Sequence, residues 1–192
     1  MKTKQTIICG LLAVMYALSL GACSGGEQKL TGPTDSFKFQ AVDSGWAVYR
    51  GTATEGTVNI PAYYRTSTDY DYLPVTAISS GAFAGCTNLT KITIPASVTE
   101  IGSNAFNRCT SLASITIPTS VTEIGSYAFA DCTGLTSITI PESVTDIGSG
   151  VFSGWTASQT IKVQGKANEA VADSAWGSGW RSGCDAKIVY QR

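Results

Sequence analysis

Two adjacent stretches decide the fold: PASVTEIGSNAFNRCTSLASITI at residues 95–117 and PTSVTEIGSYAFADCTGLTSITI at residues 118–140. They align without a gap and are identical at 17 of 23 positions. A third copy, PESVTDIGSGVFSGWTASQTIKV at 141–163, keeps the frame, and PVTAISSGAFAGCTNLTKITI at 74–94 is two residues shorter at its start. Repetition with a fixed period of about 20–50 residues indicates a solenoid, in which each unit packs against its neighbours.

Each unit presents the same set of apolar side chains, although a single unit is too short to fold alone. Its few apolar groups cannot offset the conformational entropy lost when the whole unit is ordered. Stacking removes both faces of a unit from water, so we predict that stability comes from neighbouring units. In the second unit the predicted core positions are Val98, Ile101, Ala105, Phe106, Cys109, Leu112, Ile115 and Ile117.

Within a unit, the SITI segment alternates β-branched and small polar residues, which predicts a strand. Ile115 and Ile117 should point inward, while Ser114 and Thr116 point outward. Pro118 follows at once and stops the strand, because proline cannot donate to a ladder. The SVTEIG segment predicts a second short extended stretch, and the segment around AFNRC is compact enough for one helical or 3₁₀ turn.

The repeated pattern AFxxCxxLxxIxIPxSVTxIG resembles the leucine-rich repeat of the BspA-like type, common in bacterial surface proteins. Residues 58–78 resemble that family's first, insertion-bearing repeat, and GWTASQTIKV followed by CDAKIVY resembles its C-terminal cap. The resemblance implies a mainly β solenoid with period 23, displayed outside the cell and often involved in adhesion or in binding host matrix proteins. The implied domains are a lipoprotein signal peptide (1–22), a flexible tether (23–36), an N-terminal β cap with a Tyr-rich insertion (37–73), four repeats (74–163) and a C-terminal cap (164–192).

The N-terminus reads as a secretory signal, with Lys2 and Lys4 ahead of an apolar run from Ile7 to Leu20. That run is shorter than the roughly 20 residues a membrane span requires. The LGAC sequence that follows resembles the bacterial lipobox, which implies that Cys23 becomes the lipidated first residue of the mature protein. The alternative is an ordinary signal peptide with an incidental cysteine. The Gly-, Ser- and Thr-rich stretch after Cys23 predicts a tether.

Composition argues against several classes of chemistry. The chain has no histidine, which removes Ser-His and Cys-His nucleophilic catalysis. Without Lys2 and Lys4 the net charge is near −3, and the absence of a Lys/Arg cluster argues against nucleic-acid binding. We therefore predict a protein that is not an enzyme and has no cofactor and no metal site.

Two columns of chemically active side chains follow from the repeat. Cysteines at the same position of successive units occupy one column. Buried thiols acting as small hydrophobes are favoured there over disulfides or a zinc site. Trp155, at the same position in the fourth unit, agrees with an apolar role. Carboxylates form the second column, for which a catalytic pair, a weak cation site and a solvated surface are the alternatives. The two columns are Cys86, Cys109 and Cys132, and Glu100, Glu123 and Asp146, while the state of Cys184 stays open.

Outward positions of the SITI strands are the first candidates for ligand binding, on the face that the resemblance makes concave. They form a small, polar, nearly uncharged ribbon, and the alternative is a soluble β face in which Thr serves strand propensity. The ribbon comprises Lys91, Thr93, Ser114, Thr116, Ser137, Thr139, Thr160 and Lys162.

Aromatic residues near the two ends are the second candidates. A loop in the insertion has a composition that suits protein or glycan contact, and the alternative is a cap over the first unit. Binding and capping are likewise open for the tryptophans of AWGSGW, with capping favoured. The residues are Tyr63, Tyr64, Arg65, Tyr70 and Tyr72 in the loop, and Trp176 and Trp180 near the C-terminus.

The sequence thus predicts a lipid-anchored protein at the outer membrane or cell surface of a bacterium. The leading hypothesis is a non-enzymatic binding protein, such as an adhesin, with a protein or glycan ligand outside the cell. The alternative is a structural or accessory subunit of a cell-envelope assembly, such as a nutrient-uptake complex. The ligand and the oligomeric state are left open.

Overall fold

A computed structural model describes residues 37–51, 54–65 and 72–191. The predicted signal peptide (1–22), the tether (23–36) with Cys23, and Tyr70 lie outside these residues. The strands are β1 (Phe37–Val42), β2 (Gly45–Arg50), β3 (Glu55–Asn59), β4 (Tyr63–Tyr64), β5 (Leu73–Ile78), β6 (Asn88–Thr93), β7 (Glu100–Ile101), β8 (Ser114–Ile115), β9 (Glu123–Ile124), β10 (Ser137–Ile140), β11 (Asp146–Ile147), β12 (Thr160–Gln164) and β13 (Lys187–Gln191); one helix, α1 (Glu169–Trp176), and a 3₁₀ turn (Ser178–Arg181) precede β13.

The strands form two parallel stacks on opposite sides of one coil. One sheet runs β1-β2-β5-β7-β9-β11, with β4 on the edge of β5. The other side holds two three-stranded sheets, β3-β6-β8 and β10-β12-β13. Strand partners in the repeats come from the same position of adjacent units, as in Glu100 opposite Glu123 and Lys91 opposite Ser114. The prediction of a mainly β solenoid is confirmed.

The N-terminal segment continues both stacks. β1 and β2 form an antiparallel hairpin, after which β2 pairs in parallel with β5. β3 pairs in parallel with β6, so Val58 lies opposite Ile92 and is buried like it. Strands β2 and β3 therefore supply another rung ahead of residue 74.

The core consists of columns of identical side chains. All eight apolar positions predicted for the second repeat are buried, Ile115 being the most accessible at 9%. Phenylalanine forms the clearest column, with ring centroids 5.4 to 6.1 Å apart and planes within 9° of parallel. The rings of Phe83, Phe106, Phe129 and Phe152 are all fully buried.

The segment around each phenylalanine is compact, and its local hydrogen bonds join residues three apart, as in a 3₁₀ turn, without forming a continuous helix. It forms successive hydrogen-bonded turns, in which Ala105 N donates to Gly102 O and Cys109 N donates to Phe106 O at 3.2 and 3.1 Å. A helix is prevented because the backbone must also bond the next rung: Phe106 N donates to Ala128 O at 2.8 Å. We call these segments the AF turns.

Each AF turn contains two positions in the left-handed region of backbone conformation. Glycine occupies both in the first and fourth repeats, but other residues do so in the second and third. A residue with a side chain pays about 1–2 kcal/mol for that conformation. The glycines are Gly81, Gly85, Gly150 and Gly154, and their counterparts are Asn104, Arg108, Tyr127 and Asp131, with φ between 55° and 60°.

The glycine of each VTxIG segment is required by close contact between rungs. A Cβ on Gly125 would lie 2.4 Å from the backbone nitrogen of Ser103, and Gly102 and Gly148 meet the same obstacle at 2.6 and 2.4 Å. In the first repeat the position is held by Ser79, whose buried hydroxyl has no hydrogen-bond partner. The backbones of successive rungs therefore touch at this corner.

Hydroxyl groups of the SVT segments bond each rung to the previous one. Ser120 Oγ donates to Val98 O at 2.6 Å, and Thr122 Oγ1 donates to Thr99 O at 3.3 Å. Ser97, Ser143, Thr99 and Thr145 make equivalent bonds. The serine and threonine residues of the motif thus donate hydrogen bonds to backbone carbonyl groups at the corner of the coil.

The C-terminal segment packs over the last rung through two tryptophans. Trp180 is fully buried and lies edge-on to Phe152, with centroids 6.3 Å apart. Trp176 is 9% exposed and its Nε1 donates to Val144 O at 3.2 Å. Both rings are therefore part of the packing at the C-terminal end of the repeats. Within the described residues, no helix has the length and apolar content needed to span a membrane.

An ion pair closes this segment. Asp173 accepts hydrogen bonds from Arg181 Nη2 and Trp180 Nε1, both at 2.9 Å. These bonds, that of Arg181 above all, hold the pKa of Asp173 below its usual value. Arg181 also contacts Glu169, so one guanidinium joins the start of α1 to the 3₁₀ turn.

Replacing Gly125 by Ala tests the contact between rungs. We expect a loss of about 2–3 kcal/mol in the free energy of unfolding, because the new methyl group meets backbone atoms that cannot move aside. Gly85→Ala is the matched control: nothing lies within 4 Å of its Cβ position, so only the left-handed conformation costs energy, about 1 kcal/mol. Equilibrium urea unfolding measures both, and equal losses would contradict the assigned contact.

Candidate binding surface

The predicted ribbon lies on one surface of the solenoid. Lys91, Thr93, Ser114, Thr116 and Ser137 are exposed. Thr139, Thr160 and Lys162 are half-buried, and β-pairing places Ser137 opposite Thr160 and Thr139 opposite Lys162. We call the surface formed by the outward side chains of β3, β6, β8, β10, β12 and β13 the strand face.

The strand face extends further than the sequence predicted. At its start, Thr57 lies opposite Lys91 and Asn59 opposite Thr93. At its end, Lys187 lies opposite Thr160. The sequence already indicated the extension at the start, because VNIP at 58–61 alternates apolar and polar residues as the ITIP segments do.

A groove of about 410 Å³ opens on the strand face between β6 and β8. The two strands pair only at Lys91 with Ser114 and at Ile92 with Ile115. The groove is lined by the polar residues Lys91, Thr93, Ser114 and Thr116 and by the apolar residues Ile92, Ile94, Ala96, Ile115 and Pro118. An ammonium group and several hydroxyls can therefore hydrogen-bond a ligand above a partly apolar floor.

The tyrosine loop divides into packed and exposed residues. Tyr64 stacks on Phe39 with centroids 3.8 Å apart and meets the edge of Trp46 at 5.1 Å. Tyr64 is therefore held in the N-terminal packing, which corresponds to the capping alternative. Tyr63 and Tyr72 remain exposed at 45% and 50%.

Arg65 lies beside this exposed pair rather than free in solvent. Its guanidinium carbon is 4.6 Å from the centroid of the Tyr72 ring, within the range of a cation–π interaction. Tyr63 and Tyr64 form β4, which pairs with the start of β5. Arg65, Tyr63 and Tyr72 thus stay available for contact at the base of the insertion.

The cysteine column is free of disulfides and buried, but its role is more than apolar packing. Cys109 Sγ donates to Phe83 O, and Cys132 Sγ donates to Phe106 O, both at 3.1 Å. Trp155 Nε1 donates to Phe129 O in the same way at 2.8 Å. Trp155 is buried in the apolar core, as the interpretation expected, and it also replaces the hydrogen-bond donor.

Burial suppresses the acidity of these thiols. Desolvation, reinforced by the neighbouring Cys86, raises the pKa of Cys109 to about 12. Desolvation likewise raises the pKa of Cys132. Cys184 is half-buried, and its pKa is raised mainly by desolvation. Because only a thiolate is strongly nucleophilic, Cys109 and Cys132 are poor nucleophiles in the folded chain.

The carboxylate column lies along β7, β9 and β11. Glu100, Glu123 and Asp146 are exposed and sit directly opposite one another across the strands. They line a shallow groove of about 240 Å³ together with small polar residues. Among the described residues, no group of three or more His, Cys, Asp or Glu side chains is arranged to hold a metal ion.

Parallel rungs, an apolar core in columns and one polar strand face define a leucine-rich repeat solenoid. The model of the BspA-type leucine-rich repeat region matches residues 58–176 with six copies. The chain therefore belongs to the BspA-type leucine-rich repeat family. Proteins with such repeats are typically interaction or surface proteins and generally serve as non-enzymatic scaffolds.

Solved structures from bacteria share the fold. A leucine-rich cell surface protein of Faecalibacterium prausnitzii is 30% identical, with a TM-score of 0.55 over 67% of this chain and 43% of its own. Leucine-rich repeat proteins of Treponema pallidum and Bacteroides capillosus are each 26% identical, with TM-scores of 0.53 and 0.54. The alignments include 69% and 82% of this chain, and 70% and 95% of the Treponema and Bacteroides proteins, respectively.

This chain thus spans less than half of the Faecalibacterium protein. A comparison with curated proteins found no match.

Raised thiol pKa values predict a loss of stability in alkaline solution. In the unfolded chain a thiol ionises near pH 8.5, whereas Cys109 stays protonated in the folded state to about pH 12. The unfolded state therefore releases protons first, and we expect about 1.4 kcal/mol less stability per pH unit for each thiol above pH 8.5. Urea unfolding between pH 8 and pH 10 under reducing conditions measures the slope.

The double variant Cys109→Ala/Cys132→Ala is the control for this slope. It should be less stable than the original chain at pH 8, yet lose stability more slowly as the pH rises. Parallel slopes for the two proteins would show that these thiols do not ionise on unfolding and would contradict the prediction.

Proposed function

We propose that this protein is a non-enzymatic binding protein of the bacterial cell surface, and that its strand face contacts an extracellular ligand. The groove between β6 and β8 is the observation that supports this proposal most directly, since it combines Lys91 and several hydroxyl groups with an apolar floor. Concave sites with few polar groups over apolar walls are the usual form of a ligand site.

The chemistry of the strand face favours a polar, extended ligand. Hydroxyl groups of Thr93, Ser114 and Thr116 both donate and accept hydrogen bonds, whereas lysine only donates. Within the described strand face, the lysines are at Lys91, Lys162 and Lys187, and Glu55 begins β3. A protein segment or glycan with acceptor groups along its length therefore fits this surface better than an apolar helix.

The cell-surface address rests on the relatives and on the N-terminal sequence. The protein of Faecalibacterium prausnitzii with the same fold is described as a cell surface protein. The basic start and LGAC sequence of this chain support export and acylation of Cys23. Buried acyl chains contribute about 0.8 kcal/mol per methylene, so several chains hold a protein on a membrane without a spanning helix.

Introducing negative charge on the strand face tests the binding site. In the triple variant Thr93→Glu/Thr116→Glu/Thr139→Glu we expect at least tenfold weaker binding to host matrix proteins and surface glycans, because the carboxylates repel acceptor groups of the ligand. Binding is measured by surface plasmon resonance on immobilised matrix proteins and glycans.

A matched control carries the same three charges elsewhere. Thr87, Thr110 and Thr133 form another exposed threonine column, after the cysteine of each repeat. Thr87→Glu/Thr110→Glu/Thr133→Glu should bind like the original protein. Equal binding by both triple variants and the original would show that the strand face is not the site. Recovery of a stoichiometric cell-envelope partner, instead of any matrix protein or glycan, would favour an accessory subunit.

Cys23→Ser tests the anchor. Without the thiol no lipid can be attached, so we expect the protein to move from the membrane fraction to the soluble fraction and to lose incorporation of labelled palmitate. Cys9→Ser is the control, because this cysteine lies inside the proposed signal peptide. Membrane retention of the Cys23→Ser variant would exclude lipid anchoring, and protease treatment of intact cells reports whether the protein faces outward.

A further inference from the structure

The AF turns of the second and third repeats carry four side chains at positions that the flanking repeats leave to glycine. Asn104 and Tyr127 share one column, and Arg108 and Asp131 share the other. All four have left-handed backbone conformations, although the same turn forms with Gly81 and Gly85 in the first repeat. The fold alone therefore gives no reason for these side chains. We call this surface, residues 103–108 and 126–131, the turn face.

Tyr127 is the most unusual of the four. Bulky aromatic residues rarely occupy the left-handed region, and such strained positions concentrate at functional sites. Its ring is 46% exposed, so burial of apolar surface does not compensate fully for the strained backbone. Among large apolar side chains of the described repeats it is the exposed one, whereas Tyr63, Tyr72 and Leu73 belong to the insertion and its edge.

The Tyr127 ring is supported from below. A Cβ placed on Gly150 would lie 2.6 Å from its Cε1 atom and 3.0 Å from its Cδ1 atom, so the ring lies across this glycine. Asp131 lies over Gly154 in the same way, with Oδ1 2.2 Å from the position of a Cβ. The glycines of the fourth repeat thus make room for the side chains of the third, and the ring is held as a platform.

The same two turns carry polar side chains that contact one another. Asn107 Nδ2 donates to Asn104 Oδ1 at 2.8 Å, which orients both amides. Arg108 Nε lies 3.6 Å from Asp131 Oδ2, and both side chains are substantially exposed, at 75% and 48%. Because the charges of Arg108 and Asp131 are opposite in sign, the turn face presents amides, a carboxylate and a guanidinium with no net charge.

We infer that the turn face is a second binding site, which takes one or two sugar units of a neutral polysaccharide. The face of an aromatic ring attracts the partly positive C–H groups of a sugar ring. Amide, carboxylate and guanidinium groups beside it can donate and accept hydrogen bonds from the sugar hydroxyls. This site is separate from the strand face and does not depend on the proposed function of that surface.

The dimensions and polarity of the turn face favour a sugar over a protein. A stable protein interface buries about 800 Å² on each partner and centres on apolar anchors in desolvated pockets. Here the turn face carries one exposed aromatic ring, and its other three distinctive side chains are polar. The two rungs that supply these side chains are adjacent, like those of Phe106 and Phe129, whose ring centroids are 5.4 Å apart. The turn face is therefore narrow along the coil.

Tyr127→Gly separates binding from folding. Because glycine accepts the left-handed conformation, we expect the melting temperature to hold or to rise by about 2–4 °C. Affinity gel electrophoresis of the full chain through a mannan, a mixed-linkage β-glucan and an arabinoxylan measures binding. We expect at least one polysaccharide to retard the original protein, with at least tenfold weaker affinity for Tyr127→Gly and an intermediate loss for Asn104→Gly.

The control is Thr87→Glu, at an exposed position outside both the strand face and the turn face, which should leave the retardation unchanged. Undiminished retardation of a folded Tyr127→Gly variant would overturn the site. Free migration of the original protein through all three polysaccharides would overturn the assignment to neutral sugars. Loss of binding to a matrix protein in Tyr127→Gly, with no polysaccharide bound, would assign the turn face to a protein partner instead.

Discussion

The structure depends on how closely one rung approaches the next. At the corner formed by the IG segments, the backbone of Gly125 lies against that of Ser103, and no side chain fits between them. This contact sets the rise of the coil, and with it the distance between equivalent residues in successive rungs. Side chains of one kind then meet their own kind, as in the parallel stack of Phe106 on Phe129.

Close stacking leaves some backbone carbonyl groups in the turns without a backbone donor, and side chains donate hydrogen bonds to them. Carbonyl groups in the turns point along the coil, where a strand partner is not always present, and an unpaired buried carbonyl is costly. The donors come from different residue types: the hydroxyl of Ser120, the thiol of Cys132 and the indole of Trp155. Gln159 adds its amide, which donates to Leu135 O at 2.7 Å and Cys132 O at 3.2 Å. The polar residues of the repeat therefore hold the rungs together, as its isoleucines do.

Much of the fold could be predicted because aligning the repeat units shows which residues occupy equivalent positions in successive rungs. Inward and outward positions of the SITI segments follow from alternation alone, and residues such as Ile115 and Ser114 lie as that rule predicts. The AF turns could not be predicted in the same way, since their conformation is set by hydrogen bonds to the next rung rather than by local propensity. The donor role of Trp155 was hidden for a similar reason: its partner, Phe129 O, belongs to another rung.

The candidate sites were only partly accessible from sequence. The strand face was predicted because exposure there follows from alternation, but the groove between β6 and β8 depends on where the strands stop pairing. Tyr64 could not be separated from Tyr63 by composition, since only packing on Phe39 distinguishes them. The turn face escaped notice because left-handed conformation at Tyr127 leaves no mark in the sequence except the glycines at equivalent positions.

The column arrangement also constrains how such a gene can change. Every column contact joins a residue to its counterpart in an adjoining rung, so adding or removing a residue within a strand or an AF turn would break the contacts of that rung with its neighbours. Inserting one whole repeat unit leaves each contact intact, since the new rung meets its neighbours as the old ones did. The 17 identities shared by residues 95–117 and 118–140 are the trace expected of such a duplication. Chain length in this architecture can therefore evolve in steps of one rung.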